Sequence, residues 1–569
     1  MRRPWIVREI DKERQQALAE DLSISRITAA VLLARGIVTT EQARRWLRPG
    51  WTAGHDPFLL PDMERAIDRL HRAVQAREPI CFYGDYDVDG VTAVSIYKTF
   101  FGGLGLAGRV YIPHRIREGY GLNQAALRRL RKEGVQLLVT SDCGTTSHEE
   151  IRLAQGLGMD IIITDHHQLE GGLPPALAVL NPYREDGAYP FRELCSAGLA
   201  YKVAQAYEMK HGSGDLPVDH TLDLAALATV ADVMPLVDEN RAIVREGLAQ
   251  ITRGSRCGIR ALKRVARVDK ACTAESLAFR LAPRINAAGR LADAQTAVTL
   301  LTTESDLEAA RIADELESLN KERQRLEKTM KVEAVASLEA GESAPAIVLS
   351  ARHWHLGVVG IVAARLVEQF QKPALVLSVN GDGIGKGSAR TVAGFDLHAA
   401  LSACKDLLIG FGGHPSAAGL TIHESQIPAF RDRFAQLAGE WIPPAQHQKG
   451  LHVDVEVHLR EVNHGLVREL DLLQPFGIGN PEPTLTARNV SLLDARVVGD
   501  RHLKLTVRHK NSVSFHGIGF RMGSPSDHGL SPGQPVDLAF VPELDHWNGL
   551  DRLQLRIRDL RPSDSSECA

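Results

Sequence analysis

Between residue 51 and about residue 300, short unbroken apolar runs alternate with stretches of helical spacing. The runs are Ile80-Cys81-Phe82-Tyr83, Leu137-Leu138-Val139, Ile161-Ile162-Ile163 and Leu227-Ala228-Thr229-Val230, and residues 123–133 show the helical spacing. Runs this short and this uniformly apolar read as strands buried on both faces, so the alternation predicts a parallel sheet flanked by helices. Residues 304–340 read as one highly charged helix, roughly 50 Å long at 1.5 Å per residue. It opens on a possible capping box, Ser305 with Glu308, and keeps Ile312, Leu316, Leu319, Leu326 and Met330 at 4-3 spacing, interrupted by Arg323. Residues 346–349 and 374–379 predict strands of a smaller α/β domain. After a linker containing Pro443, Pro444 and residues 446–449, the segment from 451 to 562 alternates in short strands punctuated by Gly and Pro, the pattern of a small β-barrel. Residues 22–47 hold two short amphipathic stretches, for which packing is the expected role. The predicted division is thus an N-terminal helical segment (1–50), a parallel-sheet α/β domain (51–303), a connecting helix (304–340), a smaller α/β domain (341–440) and a β-barrel (450–562).

Composition narrows the class. A chain of 569 residues is too long for one core, and 44% hydrophobic with 24% charged residues is ordinary for a globular protein. No apolar run approaches membrane-spanning length, and the opening MRRPWIVREIDKERQQ has no apolar core behind its arginines, so neither a membrane partner nor a secretory signal is expected. The seven cysteines, at 81, 143, 195, 257, 272, 404 and 568, contain no CxxC pair and read as reduced thiols, which favours a cytoplasmic location. A net charge of −3 means that any nucleic-acid surface must concentrate its positive charge locally.

The candidate chemistry sits just after the four apolar runs. Asp85, Asp87 and Asp89 lie in GDYDVDG, Asp142 in SDCG, Asp165, His166 and His167 in TDHH, and Asp232 in ATVADV. Strand C-terminal ends are where open α/β sheets place their sites. Carboxylates with imidazole and without thiolate suit Mn or Mg, and so many acids in one pocket need cations to neutralise them. Two such ions roughly 3.5–4 Å apart can share a carboxylate, activate water and clamp the attacking and leaving oxygens of a phosphoryl transfer. A single Asp after a strand is ordinarily a turn or helix-cap residue, but four strand ends in order point to one metal site. A calcium loop starting at Asp85 would need Glu at its twelfth position, where Ile96 stands.

In this order and context, GDYDVDG, SDCG, TDHH and ATVADVMPL resemble the motifs of the DHH phosphoesterase superfamily. IPHRIREGYG, PRINAAGRL, HLGVVGIVAARL, GKGSAR, FGGHPSAAG and LQPFGIGNPEP extend the resemblance, from about residue 50 onward, to its RecJ family of single-strand-specific 5′ to 3′ exonucleases. The resemblance implies a DHH domain joined by the long helix to a DHH-associated domain, then an OB-fold. It implies two Mn2+ or Mg2+ ions held by Asp87, Asp89, Asp142, His166 and Asp232, with Asp142 bridging and Asp85 a further ligand or a neighbour of the ligands. His167 is expected to face the scissile phosphate.

Substrate contacts are expected from the glycine-rich and basic motifs. Gly412, Gly413 and His414 in FGGHPSAAG, and Ser388 and Arg390 in GKGSAR, suit phosphate through close backbone approach and bidentate pairing. Arg284, Asn286 and Arg290 are spaced to point into one groove, and Arg115, Glu118, Tyr120 and Asn123 form a second patch. Arg128, Arg129, Arg131 and Lys132 read as a solvated face. Residues 253–270, with seven basic side chains, fit either a DNA track or a helix coat. In the barrel, Lys504, Arg508, Lys510, Phe515, Phe520 and Trp547 mix the basic and aromatic groups that single strands use. Asp142, His167, Arg290 and Arg390 are the expected catalytic set.

The expected activity is therefore metal-dependent exonucleolytic release of mononucleotides from single-stranded DNA, in recombination and mismatch repair. The resemblance further implies a monomer that works with single-stranded-DNA-binding protein and a helicase. A DHH pyrophosphatase would need neither the barrel nor the basic segments, and a phosphodiesterase for nano-RNA or cyclic dinucleotides would be shorter. A non-catalytic replication scaffold would lack ligands that are all present here.

Overall fold

The computed structural model describes residues 3–47, 54–169, 171–212, 214, 216–339, 344–442, 450–499, 501–510, 512–547 and 550–563. The linker expected around Pro443, Pro444 and residues 446–449 lies outside the described residues, as does the side chain of Trp547. The chain forms two compact units, residues 53–447 and the two chain ends together, 1–52 with 448–569.

The larger unit is built on two sheets. In the first, β1 (Ile80–Gly84), β2 (Arg109–Tyr111), β3 (Leu137–Ser141), β4 (Asp160–Thr164) and β5 (Ala178–Leu180) run parallel in the order β2-β1-β3-β4-β5. Every residue of β1 and β3 is buried, as sheets covered by helices on both faces require. The strand order reverses between β1 and β3, and a doubly wound sheet opens its crevice at the C-terminal ends of such a pair. Helix α1 (Val88–Gly103) starts directly beyond β1, so close that a Cβ on Gly90 would sit 2.4 Å from the Asp85 backbone.

One expected strand is a helix. Residues 227–230 belong to α3 (Leu222–Ala231), which follows α2 (Ser196–His211). The run Leu-Ala-Thr-Val is buried in the helical layer over the sheet, an environment that selects the same continuous apolarity as a buried strand. Asp232 therefore reaches the crevice from a helix C-terminus.

The next two helices are α4 (Asp238–Arg253) and α5 (Cys257–Ala266). Four of the seven basic side chains in residues 253–270 are committed to contacts within the fold. Arg260 and Arg264 pair with Asp306 and Asp314 at 2.6 and 3.0 Å, Arg256 pairs with Asp223, and Lys263 donates to the carbonyls of Ile251 and Thr252 at the end of α4. Beyond α6 (Ala282–Leu291), the long helix α7 spans Asp306–Glu339. Its first half buries Ala309, Ile312, Ala313 and Leu316 in the core of the first domain, while Met330 and Ala334 lie in the core of the second. Arg323, where the apolar spacing breaks, marks the handover and binds Asn320 and Glu327. Only half of the expected capping box forms: the Ser305 hydroxyl accepts the Glu308 N–H at 3.3 Å, while the Glu308 carboxylate accepts from the Thr303 hydroxyl.

In the second sheet, β6 (Ile347–Ala351), β7 (Ala374–Val379), β8 (Ile384–Arg390), β9 (Gly410–His414) and β10 (Ala417–His423) lie in the order β9-β10-β8-β7-β6. Only β6 and β7 are parallel. Helix α8 (Val359–Phe370) packs on its β7 and β8 face.

In the smaller unit, residues 485–498, 502–508, 515–519, 550–562 and 535–547 close into a five-stranded barrel through the pairing of the first with the last. The N-terminal helices Lys12–Leu22 and Arg26–Ala34 share its core: Leu18, Ile27 and Leu32 cluster with Leu470, Leu485 and Leu538. The N-terminal helical segment is thus part of the barrel unit, tied in where the Ser25 N–H and Thr28 hydroxyl both donate to Glu469 at 2.8 and 2.7 Å. Strand alternation leaves Lys504 and Arg508 exposed but turns Phe515 inward, so of the expected stacking aromatics with described side chains only Phe520 faces solvent.

Candidate metal centre

The ends of β1, β3 and β4, the N-terminus of α2 and the C-terminus of α3 converge on one acidic pocket. Three sets of ligand atoms lie within 4.8 Å of one another: Asp85, Asp87 and Asp142; Asp89, His166 and Asp232; and Asp142, His166 and His167. The first two sets are separate triads and Asp142 stands between them, with its Oδ1 3.3 Å from His166 Nε2. All six expected metal-binding residues are thus brought together.

Local structure fixes each carboxylate differently. Asp87 caps α1, accepting the N–H of Asp89 at 2.9 Å and of Gly90 at 3.3 Å through one oxygen. Asp89 accepts the N–H groups of Ser196 and Ala197 at 2.7 and 2.8 Å, so the positive end of α2 compensates its charge. Asp142 adopts left-handed backbone, φ 65°, which Asp tolerates better than most residues, and its carbonyl accepts from the Tyr120 hydroxyl at 2.8 Å. Asp85 Oδ1 and Asp232 Oδ2 are buried without a hydrogen-bond partner. Buried orphan carboxylate oxygens are costly unless a cation takes them, so the donor set fits two hard divalent ions.

The electrostatics agree. Burial, then the neighbouring charges of Asp89, Asp87, Asp85 and Asp232, pushes Asp142 well above the carboxylate range. Burial and Asp87 do the same to Asp85, and burial with Asp89 and Asp87 lifts Asp232 to about 9. Burial lowers His166, keeping it neutral as a metal-binding imidazole must be. His167 behaves oppositely. Against the pull of burial, the hydrogen bond and charge of Asp165, 2.7 Å from Nδ1, raise it to about 9. Asp165 itself resists burial through that bond and stays below its usual range, with the Thr145 N–H on its other oxygen.

Across the pocket stand the cations. Arg115 lies over the Tyr86 ring at 4.7 Å, Arg290 donates to the Gly357 carbonyl, and Arg390 bonds the Ser388 hydroxyl at 2.7 Å. Burial lowers Arg290 to about 10, with Arg115, Arg323 and Arg390 adding to the effect; burial and then Arg115 lower Arg390. Guanidinium groups gathered so close to Asp87 form a ready anion site. The His414 ring stacks on His167, centroids 5.6 Å apart and nearly parallel. Gly413 is required by its hairpin: at φ 133° a Cβ would meet the Ala417 carbonyl oxygen at 2.6 Å, whereas Gly412 faces open space.

The expected substrate patches separate into two kinds. Arg284 is not part of the cation group, being committed to Glu317 at 2.7 Å, and the Asn286 side chain accepts the Val88 N–H, bracing the metal loop instead of lining a groove. Glu118 binds Tyr111 and the His114 N–H, and Asn123 caps the helix that follows. Sequence reasoning missed Ser196 and Ala197, which act through backbone N–H groups, and Asn181, which donates to the His167 carbonyl at 2.8 Å. The segment VLNPYR after an apolar run was the available signal for Asn181.

A doubly wound sheet with acids at its switch point, joined to a second α/β domain that supplies Arg390, is a DHH–DHHA1 architecture. Residues 79–229 match the DHH family N-terminal domain and 343–440 the DHHA1 domain. The chain belongs to the RecJ family, and residues 453–559 match the RecJ OB domain. It is 38% identical over 565 residues to the single-stranded-DNA-specific exonuclease RecJ of Bacillus subtilis, covering 98% of this chain and 71% of that one. Among solved structures it is similar to RecJ in complex with Mn2+ from Thermus thermophilus, with a TM-score of 0.85, 32% identity, and 99% and 80% of the two chains covered. The Mg2+ complex from the same organism gives 0.79, 30%, 99% and 79%.

Proposed function

We infer that this protein is a metal-dependent exonuclease that degrades single-stranded DNA from the 5′ end to mononucleotides, using two Mn2+ or Mg2+ ions. The observation that carries the reading is the pairing of two triads of metal-ligand type, joined by Asp142, with the nearby cations Arg115, Arg290 and Arg390. Asp85, Asp87 and Asp142 would hold one ion and Asp89, His166, Asp232 and Asp142 the other. Bound there, the ions would lower the pKa of water and stabilise charge on the attacking and leaving oxygens. The chain's own groups do the rest. Arg115, Arg290 and Arg390, with Ser388, hold the backbone phosphate next to the scissile one. His167, kept cationic by Asp165, offers charge to the scissile phosphate, and His414 packs its open face. Tyr120, Gly412 and Gly413 border the same opening.

The proposal extends to a cytoplasmic monomer acting in recombination and mismatch repair, with single-stranded-DNA-binding protein and a helicase as partners. These follow from the family and not from any surface of this chain. The test is digestion of an oligonucleotide labelled at either end, with duplex and RNA counterparts, in Mn2+, Mg2+ and chelator. Metal-dependent mononucleotide release from the 5′ end of single-stranded DNA is expected. Cleavage of dinucleotides or pyrophosphate with indifference to long DNA would overturn the reading.

A further inference from the structure

Phe279 is 75% exposed, an unusual position for a phenylalanine, and it sits on a single π-helical turn, Leu277–Leu281, that leads into α6. Such turns recur at functional sites because the widened backbone re-aims a side chain. Beside it a groove of about 490 Å3 runs between Pro283 and α7, lined by Arg323, Lys328, Lys331 and Arg365, with Glu327 among them. Glu327 is shared by Arg323 and Arg365, so those two serve helix packing. Lys328 and Lys331 have no carboxylate within ion-pair distance among the described residues, and their spacing of three puts them on one face of α7.

The groove begins on the helix that leads to the metal centre. Helix α6 follows Phe279's turn at one end and carries Arg290 at the other, and that second end rests on the metal loop, where a Cβ on Gly289 would lie 2.2 Å from the Tyr86 carbonyl oxygen. Arg323 is among the charges that depress Arg290, so the two are near neighbours, and Lys328 and Lys331 follow Arg323 along α7. Eleven residues separate Phe279 from Arg290, about 16 Å of helix. A stacked strand covers that in about five nucleotides at 3.4 Å each.

We propose that the groove between the Leu277–Leu281 turn and α7 is a second binding site for the substrate strand, about five nucleotides from the cleaved end, with Phe279 as a stacking platform and Lys328 and Lys331 as phosphate contacts. The inference rests on the exonuclease reading and adds a length dependence to it. An exposed aromatic beside unpaired cations is the combination by which proteins hold single strands without regard to sequence.

The test compares hydrolysis of 5′-phosphorylated oligothymidylates of three and twelve nucleotides by the full chain in Mn2+. Wild type is expected to show a lower KM for the twelve-mer. Phe279→Ala should raise that KM roughly tenfold, leaving kcat and all three-mer kinetics unchanged. Lys328→Gln with Lys331→Gln should do the same and flatten the salt dependence of twelve-mer KM by about 1.4 in log-log slope, two single-strand phosphate contacts. All three side chains reach solvent, so folding is controlled by an unchanged melting temperature. Equal effects on both lengths, or none on either while wild type still digests DNA, would overturn this site and leave the exonuclease reading standing. Failure of wild type to digest either oligonucleotide would remove both.

Discussion

Replacing Asp142 with Asn should abolish turnover and yet stabilise the metal-free protein. Ligand atoms of Asp85, Asp87 and Asp142 lie within 4.8 Å of one another. At an effective dielectric of about 20, two full negative charges at that distance repel by about 3 kcal/mol. Asp142 faces four such neighbours, each partly screened or protonated, so a net relief of about 2–4 kcal/mol is a reasonable scale for removing its charge. Asn keeps the volume and can still accept from the Ser196 hydroxyl, so the gain is not lost to a cavity.

The pH dependence gives the sharper readout. A carboxylate whose folded-state pKa is raised destabilises the fold increasingly as pH climbs above its unfolded value, until the folded pKa is passed. Asp142 and Asp85 are raised well above the normal range and Asp232 to about 9, so metal-free wild type should lose stability steadily from about pH 5 to pH 9. Asp142→Asn should flatten that decline. Thermal melts in chelator at pH 5, 7 and 9 measure it, and saturating Mn2+ should raise the wild-type midpoint much more than the variant's. A variant that is less stable than wild type at pH 9 in chelator would refute the idea of an unneutralised acidic site.

Asp165→Asn should return His167 from about 9 toward an ordinary imidazole value, so that activity, measured as kcat across pH 6–9, falls above pH 7 where wild type holds it. Lys202→Met strands Glu239 in the interior of the first domain, where the two side chains are 1% and 2% exposed and 2.9 Å apart. A loss of about 3–5 kcal/mol in denaturant unfolding is expected, and a neutral result would show that the pair is not an energetic anchor. Gly413→Ala should displace the hairpin that presents His414, raising KM for DNA with little change in metal affinity by calorimetry.

The sheet and its acids were legible because parallel strands buried on both faces write continuous apolar runs, and because a strand end followed by Asp is a local pattern. The misreading of residues 227–230 has the same origin: a buried helix writes the same run, and four residues carry too little length to separate periods of 2 and 3.6. Groups whose role depends on distant partners could not be read. Nothing near Arg284 announces Glu317, and nothing in residues 253–270 announces Asp306 and Asp314, since ion pairs across more than 30 residues leave no local trace. Ser196 and Ala197 contribute backbone, which any residue could supply.

The net charge of −3 conceals the organisation that matters. Carboxylates and two guanidinium groups, Arg115 and Arg290, from the first domain face one pocket with Arg390 from the second, and each set of like charges destabilises itself: the acids are raised and Arg290 and Arg390 are lowered. Two divalent ions would neutralise the acids, and a backbone phosphate the guanidinium groups. Divalent ions held there would remove the negative field that otherwise repels DNA from Arg290, and a phosphate held by the guanidinium groups would in turn add negative charge near the ions. Thermodynamic reciprocity then requires that each ligand tighten the other by the same factor. An arrangement of this kind binds its substrate well only when the groups that will cleave it are in place, which ties occupancy to chemistry without any moving part.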